Sequence, residues 1–180
     1  MIDFELSDTQ TRVREHVHSF GTKHFATAHT VAKEVIEAAF TASGGLVGAI
    51  SVALMRRCFE MTLRSAKSDT RNDTESIINK QSVADLLIKM KMRCEAGRAC
   101  SSVGRLPEAA ETAHLAKIFC SKNAVQCANE GMNAVGVQAY QAKFHYGVLL
   151  NDAACLPIFD GGNVGGREKR GRGYLLIYRI

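Results

Sequence analysis

"QSVADLLIKMKMRCEAG", residues 81 to 97, carries Val83, Leu86, Leu87, Met90 and Cys94 at intervals of one, three and four. That spacing gathers apolar side chains on one face of a 3.6-residue helix. The Leu, Met, Lys, Arg and Ala around them lose little rotamer freedom on a helix. The stretch therefore predicts an amphipathic helix over 81–97. Such a helix must bury its stripe against other elements, so the fold turns on what flanks it.

The same period continues on both sides. Upstream, a long helix is expected between Val31 and Ser68, with Leu46, Ile50, Leu54, Phe59 and Leu63 as its inward stripe. Met55, Cys58 and Met61 widen that stripe. Gly44, Gly45 and Gly48 weaken its first half, each by about 1 kcal/mol relative to alanine, while leaving room for a close neighbour. The polar run "KSDTRNDTES" (67–76) reads as a loop. Downstream, Pro107 suits a first helical turn and opens a helix through Leu115, Ile118, Phe119 and Val125 to Met132. A shorter piece covers His145 to Ala154.

At the start, "FELSDTQTRVREHVHSF" (4–20) has Ser7 and Gln10 at capping-box spacing, and Gly21 closes the helix. Only "YLLIYRI" (174–180) is strand-like. With no repeat and no alternating pattern, the expectation is an all-α fold, a four- to five-helix bundle.

A chain of 180 residues with 46% apolar side chains is long enough for one well-buried core. The net charge of +5 is unevenly placed. Residues 161–180 hold five Lys/Arg and one acid, leaving 18 basic and 17 acidic side chains in the other 160. A solvated basic end explains this better than a nucleic-acid surface. Cys58, Cys94, Cys120 and Cys127 fall in apolar helical settings, where a thiol behaves as a small hydrophobe. Without a C-x-x-C pair or signal peptide, reduced cysteines and an intracellular protein are expected, with cytoplasm, peroxisome and mitochondrion undistinguished. The apolar stretch from Gly44 to Met55 is too short to span a bilayer, so no membrane partner is expected.

The histidines offer no metal site. His16 and His18 lie two apart and do not share a helical face, and His24, His29, His114 and His145 have no ligand spacing with cysteine or acid. "GGNVGGREKR" (161–170) lacks the Gly-Lys-Ser/Thr ending of a P-loop. Met55, Met61, Met90 and Met92 read as core filling. Asp160, beside Gly161, suits an Asx-type turn when taken alone. On spacing alone the chain is a helical bundle without a chemistry.

Four blocks, taken in order, add one. "NDAACLPIFDGGN" (151–163) has Asp152 and Ala153 followed at fixed spacing by Ile158, Phe159, Asp160 and Gly161. "TRNDTESIINKQSVADLLIKMKMR" (70–93) contains Arg71 and Gln81, "EGMNAVGVQAY" (130–140) contains Asn133 and Gly136, and "FELSDTQ" (4–10) opens the chain. Together they resemble the acyl-CoA dehydrogenase family, fungal members in particular. The resemblance implies that Asp160 stands where the family has its catalytic glutamate base. It also implies that Arg71, Gln81, Asn133, Gly136 and Gly162 bind FAD, with Arg71 and Gln81 reaching it across a dimer. Departures are Thr74 and Glu75 for the usual Phe-Gly pair, Asn133 for Gln and Val137 for Gly.

By that resemblance, residues 1–28 are a remnant of the N-terminal helical domain, 29–164 the C-terminal helical bundle and 165–180 a divergent basic tail. The implied activity is FAD-dependent α,β-dehydrogenation of an acyl-CoA or other acyl thioester, in polyketide- or fatty-acid-derived secondary metabolism, by a homo-oligomer. Aspartate is one methylene shorter than glutamate. The carboxylate would retreat by about 1 Å, a displacement that costs on the order of a hundredfold in a positioned site. Two other readings stand beside this one: a helical dimerisation module without catalysis, and a flavin-free isomerase or lyase using Asp160.

Overall fold

The computed structural model describes residues 8–71, 73–103 and 110–164, and every regular element among them is helical. The four α-helices are α1 (Asp8–Ser68), α2 (Gln81–Val103), α3 (Ala110–Val135) and α4 (Tyr146–Cys155). Short 3-10 turns cover Ile77–Asn79, Gly136–Tyr140 and Ala142–Phe144. The chain divides into two compact units, Met1–Phe40 and Thr41–Ile180. The first contributes the early turns of α1, and the bundle described below belongs to the second.

Several sequence expectations need correction. α1 passes through Gly21 without a break, so that glycine does not close a first helix. α2 runs six residues past Gly97. Ser7, the proposed cap, Pro107, the proposed start of the fourth helix, and the 165–180 tail lie outside the described residues. The largest correction concerns the inward face of α1. Leu46 and Ile50 are 66% and 56% exposed. Gly44, Val47, Gly48, Ser51, Met55, Cys58, Thr62 and Ala66 are the buried set. These recur every three or four residues as the pattern demands, but most are small or polar.

Close approach explains the choice. A Cβ on Gly48 would stand 3.5 Å from Ser101 Oγ, and one on Gly44 3.8 Å from Lys117 Cβ. Gly97 of α2 faces Met55, with only 2.7 Å between an added Cβ and the Met55 methyl. Contacts of Gly48 with Ser101 and of Gly97 with Met55 set α1 antiparallel to α2. Arg93 donates to both Glu130 carboxylate oxygens (3.1 and 2.8 Å) and to Asn123 Oδ1 (2.7 Å), while Gly97 neighbours Cys120. α2 and α3 are therefore antiparallel too, and α1 runs parallel to α3.

The main core joins Val47, Met55 and Cys58 of α1, Met90 and Cys94 of α2, Cys120, Ala124, Cys127 and Ala128 of α3, and Ala153 with Leu156. All six cysteines are free, and the four placed on apolar faces are buried. Met55 and Met90 are buried as expected, whereas Met92 is 65% exposed. By length and composition Ala38–Ser68 could cross a membrane, contrary to the sequence estimate. Its small residues instead face helices α2 and α3.

Near the other end Thr62 donates to the Cys58 carbonyl (2.8 Å), so the buried Tyr146 hydroxyl donates to Thr62 Oγ1 (2.8 Å). Gly131 makes room for that pair: an added Cβ would stand 2.8 Å from Thr62 Oγ1 and 3.0 Å from the Tyr146 ring. Gly131→Ala is therefore expected to destabilise the bundle by about 1–3 kcal/mol despite alanine's better helix propensity. The denaturant midpoint should fall; an unchanged or higher midpoint would refute this packing.

Candidate functional site

The chain leaves α4 at Cys155 and turns back over α3 through "LPIFDGGN" (156–163). Asp160, Gly161 and Gly162 have φ of +53°, +76° and +71°. Two glycines take that left-handed region readily, and aspartate tolerates it better than most side chains. The turn is closed by Gly162 N–H donating to Phe159 O (3.1 Å) and Asn163 N–H donating to Pro157 O (2.8 Å). Asp160 is half-buried, and its Oδ2 is buried without a hydrogen-bond partner. An acceptor left so costs about 1–3 kcal/mol.

Beneath the loop lies a residue that sequence reading passed over. Lys117 of α3 is fully buried, and its ammonium donates to Phe159 O (2.7 Å) and Asn163 Oδ1 (2.9 Å). Asn163 in turn donates to Ser121 Oγ (3.0 Å). Burial holds the Lys117 amine below the ordinary lysine value of 10.5, and the negative charge of Asp160 partly offsets that. The available signal was positional. Lys117 shares a helical face with Ala113, Cys120 and Ala124, all buried.

The residues assigned to flavin by resemblance separate into two groups. Gly162 belongs to the Asp160 turn. Arg71, Gln81, Asn133 and Gly136 lie at the opposite end, where the start of α2 packs on the end of α3 through Val83, Leu87 and Ala134. Lys117 and Asn133 are 16 positions apart on α3, about 24 Å along the helix axis. Arg71 donates to Ala134 O (2.6 Å) and Val135 O (3.1 Å), carbonyls that the helix end leaves free. Asp69 Oδ2 is 3.4 Å from Arg71 Nε. Gly136, at φ +74°, brings its backbone beside the guanidinium, with 3.6 Å between an added Cβ and an Arg71 nitrogen. The Arg71 side chain is still 41% exposed, and Gln81 and Asn133 are exposed on the same end. An arginine, two exposed amides and a helix N-terminus are donors of the kind a dinucleotide's phosphates would accept from.

Other chemistries find less support. Among the described residues no three His, Cys, Asp or Glu side chains are grouped to hold a metal. Burial pushes the Cys58 and Cys120 thiols up to about 12, so neither is a ready nucleophile. A cavity of about 490 Å³ lies against the loop, lined by Lys122, Val125, Pro157, Ile158 and Val164. Asp160 does not line it.

Comparison with known proteins shows the family. Residues 33–164 match the model of the acyl-CoA dehydrogenase C-terminal domain. The chain belongs to the acyl-CoA dehydrogenase family, whose members related to it are FAD-binding oxidoreductases. Among curated relatives, it is 41% identical over 140 residues to nitroalkane oxidase of Podospora anserina, covering 73% of this chain and 33% of that protein. It is 40% identical over 148 residues to nitroalkane oxidase of Fusarium oxysporum, covering 77% and 34%. The solved Podospora anserina nitroalkane oxidase superposes with a TM-score of 0.75 over 80% of this chain and 36% of that one, at 39% identity. Butyryl-CoA dehydrogenase of Megasphaera elsdenii shares the fold at 18% identity, with a TM-score of 0.74. The chain spans about a third of the length of its curated relatives.

Lys117 yields a pH prediction. Its folded-state pKa lies below the unfolded value, so between the two the unfolded chain binds the proton more tightly. The penalty is present at every pH below the folded value and disappears as pH rises through the window up to 10.5. Wild type should therefore gain stability relative to Lys117→Met as pH rises through that window, read from denaturant midpoints. A difference that shrinks or stays flat would contradict a buried ammonium.

Proposed function

We propose that this chain carries the base-bearing bundle of a nitroalkane-oxidising flavoenzyme, with Asp160 as the base. The observation that carries the reading is Asp160 Oδ2, buried and without a hydrogen-bond partner in a backbone turn tied to α3. Sequence spacing supports the identity of the base. In a nitroalkane oxidase, an aspartate and an arginine seven residues after it have roles in the flavoprotein's reaction. Asp160 is the only aspartate of this sequence followed by an arginine seven positions later, Arg167. That arginine lies outside the described residues. A variant of that enzyme with its active-site aspartate replaced by asparagine has been crystallised with 1-nitrooctane.

The substrate class replaces the acyl thioester implied by the family as a whole. A nitro group withdraws electrons more strongly than a thioester carbonyl, so the neighbouring C–H is the stronger acid and an aspartate suffices as its base. In the proposed step the C–H bond beside the nitro group breaks and the proton passes to Asp160. The electron pair delocalises onto the nitro oxygens as a nitronate. FAD, held by Arg71, Gln81, Asn133 and Gly136 of one copy, supplies the electron acceptor when bound. Because those residues lie about 24 Å along α3 from Lys117 and the base turn, a second copy completing each site accounts for the arrangement. The active form is thus a homo-oligomer.

With FAD supplied, the chain in its assembled form is expected to consume 1-nitrohexane in preference to butyryl-CoA. Asp160→Asn should lower turnover by at least two orders of magnitude with flavin content unchanged, because the substitution removes the base and keeps its shape. Full turnover in that variant, or a preference for the thioester, would overturn the reading.

A further inference from the structure

Lys117 is a fully buried cation whose two hydrogen-bond acceptors both belong to the loop around Asp160. Burying an ammonium is expensive unless its donors are satisfied. Here the first acceptor is the carbonyl of Phe159, the atom group that begins the peptide bond to Asp160. The second is the amide oxygen of Asn163, three residues beyond. The two bonds bracket the left-handed segment Asp160–Gly161–Gly162. Ser121, one helical turn after Lys117, takes the other end of the Asn163 amide, so a single face of α3 fixes both ends of the turn.

Two main-chain hydrogen bonds close the turn, and Lys117 adds a fixed partner from α3. A non-glycine residue at positive φ costs on the order of 1 kcal/mol, and such a residue persists when its surroundings over-determine it. The charge of Asp160 also raises the Lys117 amine against the effect of burial. A surface lysine at position 117 would supply neither constraint.

We infer that Lys117 is the positioning residue for Asp160, fixing the 159–163 turn from beneath. It touches neither substrate nor flavin and acts through the loop. The inference rests on Asp160 being the base, and its test separates the two claims.

The first measurement follows the Lys117 side-chain nitrogen by NMR in the full chain labelled with 15N-lysine, from neutral pH upward. Lys117 is expected to lose its proton below 10.5, and at a lower pH still in Asp160→Asn, where the opposing charge is gone. A purely structural lysine would titrate identically in the two proteins, and that result overturns the inference. The second measurement is amide hydrogen exchange at Gly162 and Asn163. Lys117→Met should speed both at least tenfold while the amides of α2 keep their protection. Should Lys117→Met not fold, Asn163→Ala keeps the ammonium and removes one anchor, with the same acceleration expected. Unchanged exchange in the folded variant refutes the anchoring.

Turnover of 1-nitrohexane distinguishes the failures. Lys117→Met is expected to lower kcat with KM little changed, since the base is misplaced and the substrate contacts are not. If Asp160→Asn stays fully active while the Lys117 titration shifts and the loop loosens, the base assignment fails and the anchoring stands. If Asp160→Asn is inactive but neither Lys117 readout moves, the anchoring fails alone.

Discussion

A lysine ammonium sealed between α3 and the loop that follows α4 is the contact on which the candidate site depends. Its charge cannot reach water, so the loop must present acceptors to it, and the Phe159 carbonyl and Asn163 amide do so. Once those two groups are fixed, the three residues between them have little freedom. They turn through positive φ and leave a carboxylate oxygen buried and unpartnered. The turn is thus held from below by one side chain on a rigid helix, and the position of the Asp160 carboxylate follows from it.

That helix is itself placed by small residues. Gly44 and Gly48 of α1, Gly97 of α2 and Gly131 of α3 let neighbouring side chains occupy space a Cβ would take. The bidentate Arg93–Glu130 pair fixes the register of α2 on α3 with side chains only 28% and 12% exposed. At the far end Arg71 satisfies the carbonyls that α3 leaves free while keeping part of its guanidinium in solvent. One helix therefore carries Lys117 near its start and receives the Arg71 guanidinium at its end.

The helices were legible because apolar side chains at three- and four-residue spacing leave few other solutions, and all-α is what the structure shows. The inward face of α1 was not legible by the same rule. Hydrophobicity favours Leu46 and Ile50, but the closeness of α2 and α3 admits Gly44, Gly48, Ser51 and Thr62 instead. Asp160 was visible through its block. Lys117 was hidden because a single lysine in "AHLAKIF" (113–119) reads as solvated unless its alanine and cysteine neighbours on the same face are weighed. The aspartate in place of the family's glutamate was visible too, but no residue of this chain states the substrate.

The proposed proton abstraction by Asp160 can be tested without electron transfer. Incubated with 1-nitrohexane in D2O, the wild-type chain should exchange the protons on the nitro-bearing carbon faster than buffer alone, with Asp160→Asn reduced to the buffer rate. Equal exchange in the two proteins would contradict the claim that this carboxylate is the base.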